Sequence, residues 1–138
     1  MKIILFENKR GGVSIISPSV NAELAIKDVP ENVRYKIIEN NSNIEDQLFM
    51  DAWEYSDDKD FNINLEKAIV IAHIKRREAR SKEFKPFDEI ISNQIPGTDS
   101  ADAEGERQKI RDKYAIIQIN IDKAGNVDDL KKLIPVEQ

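Results

Sequence analysis

Cysteine is absent from this chain, histidine and tryptophan occur once each, and the apolar runs are short. Without cysteine there is no disulfide framework, no thiolate zinc site and no thiol nucleophile, which sets aside stapled secreted scaffolds and cysteine enzymes together. A reducing compartment of synthesis fits that absence. The single histidine, His73, has no second histidine at four residues' spacing and no evident nucleophile to activate, so its place among Val70, Ile71, Ala72 and Ile74 reads as a partly buried side chain. The opening MKIILFENKR has four consecutive apolar residues and no small-residue cleavage site, so a signal peptide is not expected. Nowhere do about eighteen apolar residues run together, and no membrane contact is expected. Positive charge is also in deficit: 21 Lys and Arg stand against 26 Asp and Glu, a formal net charge of -5, so bulk nucleic-acid binding is not the default. Neither a P-loop, G-x-S-x-G, H-E-x-x-H nor a dinucleotide fingerprint occurs. No enzyme, catalytic residue, metal or cofactor is therefore expected.

What the chain does have is the stretch from Asn62 to Lys85, in which the longest apolar run passes directly into the densest positive one. It reads as one helix: Asn64 caps it, Glu66 sits in the first turn, and no Gly or Pro interrupts it before Pro86. Its first half is apolar nearly all round, which predicts burial, and its second half is predicted to emerge into water as a basic rod. Lys75 to Lys85, KRREARSKEFK, carries six positive and two negative side chains. Lys75, Arg76, Arg77, Arg80 and Lys82 surround the helix instead of forming a stripe, and no aromatic alternates with them to stack on bases. A solvated helix end is the first reading; as a binding site the run would meet an acidic protein surface ahead of nucleic acid, with Lys75, Arg76, Arg77 and Arg80 as its contacts.

Before this helix the apolar period is near two. Lys2 to Glu7 and Val13 to Ser17 flank Gly11-Gly12 and predict a β-hairpin; a phosphate cradle at the glycines would need a helix next, and a strand follows. Val20 to Lys27 is read as two helical turns, and Val33 to Glu39 as a third strand with Val33, Tyr35 and Ile37 alternating against Arg34 and Lys36. Ser42 or Asn43 can cap a helix through Gln47 to Trp53, whose apolar side Ile44, Leu48, Phe49 and Ala52 predicts that Phe49 and Trp53 are core aromatics. Tyr55 to Asp60 holds three acids but lacks the D-x-D-x-D-G order of a calcium loop, and is read as a solvated turn. Phe61 to Ile63 can add a short fourth strand.

Beyond Lys85 the period is near 3.6. Pro86 is placed at the first turn of a new helix through Asn93, and Gln94 to Gly105 is the expected flexible loop. Its acids Asp99, Asp102 and Glu104 lack the rigid setting that paired-carboxylate catalysis needs. A second long helix is expected from about Asp102, with Ile110, Tyr114, Ile117 and Ile121 spaced four, three and four, the seam with which one helix packs on another or on a second copy. Ala115 to Ile121 fits a strand nearly as well. Gly125-Asn126 breaks the chain, and Asp128 to Leu133 is a last short helix before Pro135. The reading is one α+β domain of 138 residues, with an α+β head over 1–63 and a helical hairpin plus short helix over 64–138. Ile110, Tyr114 and Ile117 join the four basic residues as expected protein-contact positions.

The order of certain pieces resembles a group of small proteins encoded in tailed bacteriophages and prophages. The pieces are GGVSIISP at Gly11 to Pro18, DVPENVRYKIIE at Asp28 to Glu39, FMDAW at Phe49 to Trp53, then Asn64, Lys67, Ala68 and His73, the pair Arg77 and Arg80, and Phe87-Asp88. Ile110-Arg111-Asp112, Ile121 with Ala124, and Asp128-Asp129-Leu130 up to Pro135 complete the series, and the latter half is similar to the helical part of phage tail-fibre assembly chaperones. The resemblance implies a non-catalytic structural or assembly protein, found in the virion or in the host cytoplasm during assembly. Its partners would be other phage structural proteins, and the helical seam adds a homo-oligomer as an expectation. The alternative is a small regulatory or nucleic-acid-binding protein that uses residues 75–85 on phosphate.

Overall fold

The computed structural model describes residues 1–19, 21–40, 47–93, 97 and 100–134 of an α+β chain. It divides into two compact units, Met1–Ala68 and Ile69–Gln138.

The first unit is organised on β1 (Lys2–Glu7), which pairs antiparallel on one side with β2 (Val13–Ile16) and on the other with β3 (Tyr35–Glu39). The hairpin between β1 and β2 forms as predicted. Asn8 Oδ1 accepts from the amides of Arg10 and Gly12, both at 3.0 Å, and Gly11 turns the chain at φ +81°, where a side chain would be strained. Because β1 is central and covered on both faces, its apolar residues run without alternation. Ile3 and Leu5 join Trp53, with Val13, Ile15, Ile38, Phe61 and Ile63 packed around them, while Ile4 joins Ala22 and Ala25, with Ile16, Ile26, Val29 and Ile37. Each large side chain buried this way stabilises the unit by about 1.5–3 kcal/mol. The same double coverage corrects the expected alternation in the third strand: Ile37 and Ile38 are both packed, on opposite faces, and Tyr35 is exposed. Ala22–Asp28, expected as helical turns, is a 3₁₀ segment capped by Asn21, whose Oδ1 accepts from Glu23 N at 2.9 Å; Val20 lies outside the described residues.

The helix expected to run through Trp53 ends sooner. Gln47 and Leu48 are helical, Met50–Ala52 is 3₁₀, and Trp53 opens β4 (Trp53–Glu54), which pairs with β5 (Asn62–Ile63) as a separate two-stranded ladder. The expected caps Ser42 and Asn43, and Ile44, lie outside the described residues. Trp53 is nonetheless a core aromatic, 1% exposed and stacked on Phe61 at 3.7 Å between ring centroids; burying the indole face against the sheet outweighs helix continuation. The acidic turn between these strands is held by cations. Lys36 Nζ donates to the carbonyls of Ser56 and Lys59, and Arg34 pairs with Asp57 at 3.2 Å and Glu7 at 2.9 Å while lying over the Tyr55 ring.

In the second unit the chain is helical. α1 (Leu65–Asn93) starts in the first unit, where Asn64 caps it by accepting from Lys67 N at 3.0 Å. It does not stop at Pro86, where a new helix was expected. Proline removes one amide donor and normally breaks a helix. Here the helix runs on through it, with Glu83 before it and Asp88 after it paired to Lys113 and Arg107 of the next helix, α2 (Ser100–Lys123). α2 also takes up residues 100–105 of the expected loop, whereas 94–96, 98 and Asp99 lie outside the described residues. Ala115 to Ile121 is helix, the strand alternative being lost to the burial of Ile121 on the same side as Ile110 and Tyr114. α3 (Val127–Leu133) follows a cap in which Asn126 Oδ1 accepts from Asp129 N at 2.8 Å, and Leu130 is buried; Pro135 lies outside the described residues.

Candidate protein-contact site

The inner sides of α1 and α2 are joined by long polar side chains whose partners run in opposite order: 73 with 122, 76 with 118, 83 with 113, 88 with 107. The helices are thus antiparallel. At one end His73 Nε2 lies 2.7 Å from Asp122 Oδ1, while its Nδ1 accepts from Arg76 Nε at 3.3 Å. The proton is therefore on Nε2, which donates to the carboxylate, and both ring nitrogens are engaged. Arg76 also donates to Gln118 Oε1 at 3.4 Å and is only 7% exposed. Burial, then the nearby Arg77 and Arg80, lowers its pKa.

Midway, Glu83 Oε1 accepts from Lys113 Nζ at 2.6 Å, Tyr114 is buried beside the same carboxylate, and Glu83 Oε2 is buried without a hydrogen-bond partner among the described residues. Further on, the Phe84 ring lies beneath three guanidinium groups, those of Arg80, Arg107 and Arg111, at 5.0, 5.6 and 6.0 Å. Glu104 gathers two of them, at 2.8 Å from Arg107 and 2.9 Å from Arg111, and Asp88 lies 2.9 Å from Arg107. A shallow groove of about 330 Å³ beside these groups is lined by Glu83, Phe87, Glu106, Lys109, Ile110 and Lys113, and its charges already pair as Glu83–Lys113 and Glu106–Lys109.

This arrangement redistributes the expected contact residues. The α1 burial forecast is corrected: Ala68 and Ala72 are fully buried and Arg76 continues their stripe inward, whereas Val70 and Ile74 are 60% and 45% exposed. A stripe of small residues lets a neighbour approach closely, and it covers one side of the helix only. The basic run therefore does not emerge as a rod. Arg76 points inside, Arg80 is half-buried near Phe84, Lys75 is half-buried 3.5 Å from Glu78, and Arg77 is exposed. Ile110 and Tyr114 are buried and Ile117 half-buried.

No family model matches the chain, and no curated protein or solved structure matches it significantly. Among the described residues, no group of three or more His, Cys, Asp or Glu is placed to hold a metal, and no helix is long and apolar enough to cross a membrane.

In the first unit Met1, Leu24, Tyr35 and Met50 are exposed, and on the two long helices the exposed large apolar residues lie on the outer faces. Val70 and Ile74 are one turn apart on α1, and Ile116 and Ile119, 61% and 51% exposed, are one turn apart on α2. Sequence reasoning passed over the α2 pair because its attention was on the seam of Ile110, Tyr114, Ile117 and Ile121. A second seam with the same spacing, Asp112, Ile116, Ile119 and Lys123, is displaced from it by two residues and so faces the other way.

Proposed function

We propose that the chain is a non-catalytic structural or assembly protein of a tailed bacteriophage, working by contact with other proteins of the particle and with further copies of itself. The phage context rests on the ordered motifs from Gly11 to Pro135. The observation that carries the contact role is the outward placement of Val70, Ile74, Ile116 and Ile119 on helices whose charged side chains are largely occupied with one another. Adjacent exposed aliphatics on otherwise polar helices are a docking feature, although single exposed apolar residues are ordinary. The inward turn of Arg76 and the half-burial of Arg80 weigh against a phosphate-binding helix over 75–85, since the run loses two of its cations to internal contacts.

Mass spectrometry of purified particles tests the role. Stoichiometric presence marks a virion component, and presence in infected-cell lysate alone marks an assembly chaperone. Steep loss of partner binding between low and moderate salt would instead indicate phosphate recognition and would overturn the apolar-contact reading.

A further inference from the structure

The outer face of α2 carries its own interaction code, in which Asp112, Ile116, Ile119 and Lys123 follow one another at spacings of four, three and four. All four side chains are exposed, so the unit itself leaves this seam uncovered. The spacing is that of the contact positions of a two-helix coil. Its charges decide the orientation of a partner. In a parallel pairing of two such helices Asp112 would face Asp112 and Lys123 would face Lys123, two like-charge contacts. In an antiparallel pairing centred between Ile116 and Ile119, Ile116 meets Ile119 of the other copy and Asp112 meets its Lys123, and the two-fold axis supplies each contact twice. Ala115 and Asn120 flank the isoleucines on the same alignment and are small enough for the backbones to approach.

We infer that the outer face of α2 is a self-recognition seam that docks antiparallel on the same face of a second copy of this chain, through Ile116 and Ile119 with Asp112–Lys123 pairs at each end. This rests on the self-contact part of the proposed function and gives it a register; the dimer would form from purified chain alone, so its failure is distinguishable from absence of the protein from phage particles. A seam of three helical turns buries well under the ~1,200 Å² of a standard interface, so the dimer is weak and concentration-dependent.

The absence of cysteine gives a direct test in the full-length chain. On the antiparallel alignment residue 112 of one copy lies beside 123 of the other, whereas 112 lies about 16 Å from its own symmetry mate at ~1.5 Å of rise per residue. That is far beyond the ~7 Å between Cα atoms that a disulfide tolerates. The double variant Asp112→Cys with Lys123→Cys should therefore cross-link to dimer under mild oxidation, and either substitution alone should leave monomer. Cross-linking by Asp112→Cys alone would mean a parallel register and would overturn the proposal. Sedimentation velocity over a concentration series supplies the second arm. Asp112→Lys should weaken association about tenfold by creating two like-charge pairs, and adding Lys123→Asp should restore it. Ile116→Glu, at an exposed position, should abolish association while leaving the far-UV circular dichroism unchanged. Persistent association in Ile116→Glu, or a monomer at all concentrations in the unmodified chain, would overturn the inference.

Discussion

Tyr114 and Glu83 change one another's acidity. Burial, and then the neighbouring Glu83 carboxylate, pushes the Tyr114 hydroxyl well above its ordinary value of 10.0. Burial alone would pull Glu83 upward, but the hydrogen bond from Lys113 and the nearby Tyr114 hydroxyl outweigh it and hold the carboxyl below 4.5. The two shifts set both edges of the pH range in which this unit is stable. A carboxyl with a lowered folded pKa contributes stability that is present above its unfolded value and lost as pH falls through the folded one. Glu104, lowered by hydrogen bonds from Arg111 and Arg107, acts in the same direction, so acid destabilisation of the helices should set in below about pH 4.5. A phenol with a raised pKa contributes stability that is present below its unfolded value and lost as pH climbs past it, so an alkaline limb should begin near pH 10. Tyr114→Phe should change helical stability little at neutral pH and flatten the alkaline limb. Denaturant titrations followed at 222 nm across pH check this, and an unchanged alkaline limb in the phenylalanine variant would remove Tyr114 from the account.

Between one element and the next, two glycines should respond to the same substitution in opposite ways. Gly105 lies inside α2 with open space where a Cβ would go, so Gly105→Ala should stabilise the helix by about 0.5–1 kcal/mol. Gly11 has equally open space but sits at φ +81°, so Gly11→Ala should cost about 1–2 kcal/mol through backbone strain alone. Thermal melts of the two variants give the signs. If both stabilised, the left-handed turn would not be the conformation the hairpin needs. The hairpin itself was legible in the sequence because its signal is local: apolar runs of period two around a Gly-Gly turn. The cap at Asn64 and the seam of Ile110, Tyr114 and Ile121 were legible for the same reason. The extent of α1 was not, because local rules stop a helix at Pro86, whereas in the structure Glu83 and Asp88 on either side of it pair with residues more than fifteen positions away. Arg76 falls at helical spacing on the stripe of Ala68 and Ala72, but the partners that allow its burial, His73 and Gln118, come together only in the fold. Composition showed that the 75–85 run was basic, but not which of its cations would face inward.

Across the whole molecule the two units offer separate spectroscopic reporters. Trp53, the only tryptophan, lies in the cluster of Ile3 and Leu5 in the first unit, while most residues of the long helices α1 and α2 belong to the second. Indole emission therefore follows the first unit, and ellipticity at 222 nm chiefly follows the second. Leu5 is fully buried in the central strand, and Leu5→Ala removes its side chain from a packed site, a change that costs about 2–5 kcal/mol. Against a domain stability of about 5–15 kcal/mol this is a large fraction, enough to move a denaturation midpoint clearly. The second unit has its own buried set in Ala103, Ile110, Tyr114, Ile121 and Leu130, none of which the substitution touches. In Leu5→Ala the emission transition should therefore fall to lower denaturant while the helical transition moves much less, so that curves from the two probes separate. Equal displacement of both curves would mean that the units unfold as one cooperative body, and the division at Ala68 would then describe packing density without marking a thermodynamic boundary.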